Sequence, residues 1–236
     1  SNDQRFVNFK FNNKKWGVMN VEPTIDDNFI TDLGLKRFGV FKISNQDNWK
    51  FNLENKNLFL RKHYFISDPT LFISQRGRDR KIMKNNLSRE IYSKIFLNLN
   101  LQNPLIFDRE KMIDCFMISL SWGSLHTLKN SNSLYTWNNF TKKLEPILTD
   151  QDNWKDVKLV VNSLNNLPFE YRILFRENPI TFDEYKSSLM KIEKILKIND
   201  PLIIANNLKN NYFPNDKKFL MSPIKENVNY LKTNML

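Results

Sequence analysis

Four side chains in the middle of the chain combine residue types and spacing that can do chemistry. Asp150 and Asp152 follow directly on an apolar run, Leu144 to Leu148, within KLEPILTDQD. His126 and Asn132 stand upstream of it, with Asn130, in the polar stretch SLHTLKNSNS. An amide oxygen from a loop and a carboxylate at the end of a strand can converge on one cation. Magnesium takes hard oxygen ligands in octahedral geometry and keeps several of its waters. An Asn carbonyl and an Asp carboxylate, completed by phosphate oxygens, are the usual protein share of a phosphoryl-transfer site. The same residues also form turns, because Asn and Asp hydrogen-bond their own backbone. Spacing leaves both readings open, with turns the commoner role in an Asn-rich chain.

Other chemistries find less material. The single cysteine, Cys115, cannot form an internal disulfide; it sits in the apolar run CFMI and reads as a small buried residue. With two histidines, His63 and His126, a zinc site of Cys and His ligands cannot be completed without carboxylates. The net charge of +11 permits an acidic partner or a phosphorylated ligand. The lysines are scattered, with no dense basic block and no basic–aromatic signature of an RNA-binding sheet, so no nucleic-acid partner is expected. No stretch approaches the length of an apolar membrane span, and no signal peptide is visible, which suggests a cytoplasmic or cell-surface-associated protein.

The elements that would have to position these groups can be read from periodicity. Hydrophobic residues make up 41% of the 236 positions, enough for the core of one domain. Val7, Phe9 and Phe11 alternate with polar residues, Asn12-Asn13 suits a tight turn, and Gly17, Met19 and Val21 continue the alternation; this predicts a β-hairpin ended by Pro23. A short helix is expected between Thr24 or Asp26 and Gly34, then a strand from Phe38 to Ser44. From about Ser88, Leu87, Ile91, Ile95 and Leu99 mark one helix face, which Asn103-Pro104 should end. Asp108 is placed to cap a second helix with a wide stripe of Met112, Ile113, Phe116, Met117 and Leu120, stopped by Gly123. SLYTW and LEPIL read as strands of a hairpin around Asn138 to Lys142. Thr181 and Glu184 form a capping box for a helix buried through Tyr185, Leu189, Ile192 and Leu196. Ser222-Pro223 should open a last helix near Tyr230. The layout is α+β: a small β region, then a mostly helical body with one inserted β-hairpin.

Two blocks of the chain resemble the CotH family, spore-coat-protein-H-like proteins with an atypical protein-kinase fold. The first is FNNKKWGVMNVEP followed by GLKRFGVFKIS, with Asn12, Gly17, Glu22 and Lys42 at matching positions. The second is FDREKMIDCFMISLSWGSLH, then NSLYTWNNFTKKLEPILTDQD, with Phe107, Asp108, Lys111, Gly123, His126, Asn132, Asn138, Leu144, Glu145, Pro146, Ile147, Asp150 and Asp152. Together they cover roughly residues 6 to 155. The resemblance implies a single domain over residues 1–236, with residues 1–23 as a hairpin leading to a hinge and residues 24–236 as the C-lobe of a kinase-like fold. It implies an ATP- and Mg²⁺- (or Mn²⁺-) dependent phosphotransferase acting on a protein or a small hydroxyl-bearing acceptor.

Residue by residue, the resemblance makes Asp150 the metal-binding Asp of a DFG-like motif and Asn132 the catalytic-loop Asn that shares the metal and helps hold the nucleotide. Asp152 assists a second metal or hydrogen-bonds the first. Glu22 lies where the hairpin enters the hinge, near an adenine pocket. Three departures accompany this pattern. No Asp lies between Asp114 and Asp150, and His126 occupies the neighbourhood of the family's catalytic-loop Asp, where it would act as base, orient substrate or cap the preceding helix. The hairpin's Gly-x-Tyr reads Gly17-Val18-Met19. The family's phosphate-binding lobe precedes the hairpin, so it is expected either upstream of Ser1 or not at all. The alternative function is therefore a catalytically inactive CotH-fold protein serving as a surface or assembly factor.

Overall fold

The computed structural model describes residues 5–12, 14–21, 37–44, 70–73, 86–125, 127–128, 133–148, 156–161, 169–198 and 224–234. The alternating N-terminal segment forms β1, Arg5–Phe11, and β2, Lys14–Val21, paired antiparallel with an irregularity between Phe9 and Lys10. Asn12 takes a left-handed φ of 47° in the turn, a conformation that Asn tolerates better than most residues. The expected hairpin is present. Pro23 and the expected helix between Thr24 and Gly34 lie outside the described residues.

The strand expected from Phe38 is β3, Arg37–Ser44. It pairs with β4, Thr70–Ile73, on one side and with β5, Leu134–Asn138, on the other, and β5 pairs with β6, Lys143–Ile147. The result is one antiparallel sheet in the order β4-β3-β5-β6. The hairpin of β5 and β6 is therefore not a free insertion in a helical body. An isolated two-stranded hairpin is marginal in water and exposes unpaired edges, and β3 covers one of them.

Gly39 makes that joint possible. The register with β5 shifts between Phe38 and Val40, which leaves Gly39 as the extra residue of a bulge with φ of 62°. A Cβ there would stand 3.0 Å from the Phe41 ring. The bulge aims Phe41 and Ile43 into the same apolar cluster as Tyr135, Trp137 and Leu144. Val40, Thr136 and Glu145 form a cross-strand row that is also buried.

The helices begin with α1, Asn86–Asn100, whose Ile91, Ile95 and Leu99 are buried as their spacing required. It stops at Asn100, short of Pro104. Asn103 instead caps a 3₁₀ turn, Pro104–Ile106, by accepting the Leu105 amide. Helix α2, Arg109–Ser121, is capped by Asp108, which accepts from the Lys111 amide at 3.2 Å. It buries residues on nearly its whole circumference, which marks a central helix. It packs against β6 and three further helices: α3, Val157–Val161; α5, Phe182–Ile198; and α6, Ile224–Asn234. Between α3 and α5 lies α4, Phe169–Arg176, which the sequence pattern had left unplaced.

Polar ties complete the body. Thr181 and Glu184 form the expected capping box: the Thr181 amide donates to Glu184 Oε2 at 2.9 Å and the Glu184 amide to Thr181 Oγ1 at 3.3 Å. Buried Asn227 of α6 donates to the Ser121 carbonyl at 3.1 Å and accepts the Val157 amide at 2.9 Å. It thereby supplies partners to the C-terminal end of α2 and the N-terminal end of α3, both of which lack intrahelical ones. Tyr185 Oη donates to the Leu231 carbonyl at 2.7 Å, joining α5 to α6.

Candidate functional site

The segment that carries His126 and Asn132 begins where α2 ends. Trp122 caps the helix, and Gly123 follows with φ of 66°. The Gly123 amide donates to the Leu120 carbonyl at 2.9 Å and the Ser124 amide to the Ser119 carbonyl at 3.0 Å. This pair of bonds is a Schellman motif, which needs a residue at ease in the left-handed region at the Gly123 position. The stop signal read at Gly123 acts as expected.

Beyond it the chain turns inward. The Leu128 amide donates to the Leu125 carbonyl at 3.0 Å, and Thr127 and Leu128 are both buried. Ser133, also buried, donates from Oγ to the Thr127 carbonyl at 3.1 Å. Thr127 and Ser133, which stand on either side of Asn132 in the sequence, are thus tied to each other. His126 and Asn132 themselves lie outside the described residues, as do Glu22, Asp150 and Asp152.

Strand β6, which leads to the aspartates, is fixed along its length. Leu144 is fully buried, its carbonyl accepts the Asp108 amide at 2.8 Å, and it bridges to Phe107. The turn before it is held by Asn138, whose Oδ1 accepts the Phe140 amide at 2.9 Å while Nδ2 donates to Glu145 at 2.7 Å. After β6, half-buried Leu148 still packs on the core. The apolar run of LEPIL is therefore a strand with a set register.

That register brings the two flanks together. Leu134, two residues after Asn132, pairs with Ile147, three residues before Asp150. Lys42 of β3 pairs with Leu134 on its other side and Phe72 of β4 pairs with Lys42. Phe72, Lys42, Leu134 and Ile147 form one row across the sheet, with paired Cα atoms about 5 Å apart. A donor set of Asn132, Asp150 and Asp152, as expected from the sequence, would be all oxygen, a set that suits Mg²⁺ or Mn²⁺ rather than zinc. Among the described residues, no group of three His, Cys, Asp or Glu side chains could hold a metal ion.

One polar cluster behind this end of the sheet was not read from the sequence. Glu170, in the first turn of α4, is buried, and its Oε1 accepts a hydrogen bond from Tyr135 Oη at 3.1 Å. Burial raises the Glu170 carboxyl to about 7, against a smaller opposing contribution from its backbone and Tyr135 hydrogen bonds. Burial also lifts Tyr135 and Tyr171 well above the ordinary tyrosine value, with nearby Glu170 adding to both. Cys115, beside Tyr171, is pushed up to about 11 by burial, so its thiol stays protonated and unreactive near neutral pH. The available signal was a carboxylate inside the aromatic run PFEYRILF. Without a partner for that helix, nothing told whether Glu170 faced in or out.

Among the described residues, no helix is long and apolar enough to cross a membrane. No protein-family model, no curated protein and no solved structure matches the chain.

Proposed function

We propose that the chain belongs to a CotH-like phosphotransferase, with residues 24–236 as its C-lobe, that uses ATP and Mg²⁺ or Mn²⁺ to phosphorylate a protein or a small hydroxyl-bearing acceptor. The observation that carries this reading is the pairing of Leu134 with Ile147. It supports a shared site because the segments leading to Asn132 and Asp150 flank one end of one hairpin, as convergence on a single cation requires.

In this reading Asn132 and Asp150 hold the metal and Asp152 reinforces its binding. The metal, when bound, neutralises charge on the transferring phosphoryl group. The contribution of the protein is positioning and electrostatic preorganisation, which suffice for a reaction that needs little covalent help. His126 orients the acceptor hydroxyl or takes its proton. Glu22, at the end of the N-terminal hairpin, contributes to the nucleotide pocket. The sheet and α2 hold the described residues next to these positions in the sequence, Leu125, Ser133 and Leu148.

A CotH-fold surface or assembly factor without activity is the second reading. It is favoured by one observation, the lack of any Asp between Asp114 and Asp150. Titration calorimetry with ATP and Mn²⁺ separates the two. The phosphotransferase reading expects metal-dependent nucleotide binding that Asp150→Ala weakens at least tenfold. Absence of binding by the full-length protein would favour the assembly factor.

A further inference from the structure

Helix α4 is fastened at its two ends by different chemistry. At the C-terminal end, Arg109 donates to the Leu174 carbonyl at 3.4 Å and, just beyond the helix, to the Asn178 and Pro179 carbonyls at 2.9 Å. An arginine keeps its charge, so this hold does not change with pH. At the N-terminal end, Glu170 is 1% exposed, and Tyr135 Oη of β5 donates to it at 3.1 Å. Among the described residues, no other side chain hydrogen-bonds that carboxyl. Tyr171, the next residue, is also 1% exposed, and its Oη is buried without a hydrogen-bond partner. Two consecutive side chains of the first turn thus bury polar atoms that water would serve better. What opposes this is apolar contact: the Tyr171 ring lies 6.0 Å from Phe116 of α2 and 5.9 Å from Phe175, between centroids.

We propose that α4 is a proton-operated strap: with its proton, Glu170 keeps the first turn docked on β5, and without it the turn lifts away while Arg109 retains the far end. The inference does not rest on the phosphotransferase reading. A neutral carboxyl with a phenol for partner is tolerated in apolar surroundings. A carboxylate in the same place has the Tyr135 hydroxyl, its own backbone and the charge of Arg172 in exchange for its water. Lifting the turn returns that charge to solvent and gives Tyr171 Oη its missing partner. An eight-residue helix does not persist without its packed face, so the lifted turn also gives up its helical hydrogen bonds. The opening exposes Phe116 of α2 and Tyr135 of β5.

The titratable and charged groups that face Glu170 or its partners are Tyr135 on β5, Cys115 on α2, and Tyr171 and Arg172 on α4. Burial keeps Cys115, Tyr135 and Tyr171 protonated near neutral pH, and Arg172 stays charged. Glu170, which burial raises to about 7, is the member of this cluster that changes charge in that range.

Native-state hydrogen exchange, read by NMR on the full chain without nucleotide, tests the strap. The amides of Ile173 to Arg176 bond carbonyls four residues earlier, in the turn that lifts. Those of Leu189 and Ile192 in α5 report opening of the whole fold. Relative to intrinsic rates, the α4 amides should exchange about tenfold or more faster than those of α5, because α4 opens by itself. Their protection should fall on the order of fiftyfold from pH 5 to pH 7.5, since the open helix releases a proton that the docked one retains. In Glu170→Gln the protection of α4 should be level across that range. If that variant does not fold, Tyr135→Phe removes the donor to the carboxylate and should cost α4 about threefold more protection at pH 7.5 than at pH 5. Equal protection of α4 and α5, a level profile in wild type, a fall that survives Glu170→Gln, or an equal loss at both pH values in Tyr135→Phe would overturn the proposal.

Discussion

Arg109 meets Glu184 in a bidentate pair, with Nε 2.6 Å from Oε1 and Nη2 2.9 Å from Oε2, joining the first residue of α2 to the capping box of α5. Its remaining donors reach the carbonyls of Asn178 and Pro179 at 2.9 Å and Leu174 at 3.4 Å. The guanidinium also sits over the Phe175 ring. The planar fork thus closes the α4–α5 connection onto the start of α2, the helix whose other end feeds the candidate site.

Lysine cannot reproduce this geometry, because a point charge offers no fork to carboxylate and carbonyls together. Arg109→Lys should lower unfolding stability by about 1–2 kcal/mol and Arg109→Ala by about 2–3 kcal/mol, allowing for partial exposure of the pair. Urea denaturation checks both. The Arg109 hydrogen bond pulls the Glu184 carboxyl down to about 2. A depressed carboxyl stabilises the fold above its unfolded value and loses that contribution as pH falls through about 2. Wild type should therefore lose its advantage over Arg109→Ala on the acid side of pH 4.

Asn227 gives a second test of how the helices are joined. Leucine at this position leaves the Ser121 carbonyl and the Val157 amide buried without their partner. Asn227→Leu should cost about 2–4 kcal/mol. Asn227→Asp keeps an acceptor for Val157 but turns a carboxylate toward the Ser121 carbonyl, so it too should destabilise, and more at pH 8 than at pH 5. Thermal unfolding at the two pH values distinguishes these effects from a simple loss of packing.

Much of this architecture was legible in local chemistry. Asp108, Gly123 and the Thr181–Glu184 box are cap signals whose bonds form within a few residues, so sequence carries them fully. The hairpin of β5 and β6 was readable for the same reason. Its pairing with β3 was not, because a contact spanning some ninety residues leaves no local mark. The bulge at Gly39 was missed likewise: within FGVFKIS a glycine looks like a weak strand residue until its partner shows one residue too many. At the candidate site, the strand before Asp150 was legible from its apolar run. The buried Glu170 was not, since facing inward is a property of the packed helices.

Gly39 should resist substitution for two reasons, its left-handed backbone and the Phe41 ring beside it. Gly39→Ala should destabilise by about 1–3 kcal/mol, whereas Gly→Ala at an ordinary extended position in a strand would be neutral or better. Chemical denaturation decides. An unchanged midpoint would contradict the bulge.

Glu170 predicts an unusual pH dependence of stability. A carboxyl raised from 4.5 to about 7 in the fold leaves stability intact below pH 4.5. Between these values the unfolded chain releases its proton and the folded one does not, so stability falls by ~3 kcal/mol as pH rises and levels off beyond about 7. Glu170→Gln should remove this decline, so that the variant gains on wild type from pH 5 to pH 8. Unfolding curves at half-unit intervals check it.

The central claim is that Asp150 and Asn132 hold a metal nucleotide at the end of the β5–β6 hairpin. The most direct measurement is the thermal shift of the full-length protein with ATP and Mg²⁺ or Mn²⁺, for wild type, Asp150→Ala and Asn132→Ala. The account predicts a shift of several degrees in wild type that requires both metal and ATP and is lost in both variants. No metal-dependent shift in wild type, or an undiminished shift in Asp150→Ala, would contradict it.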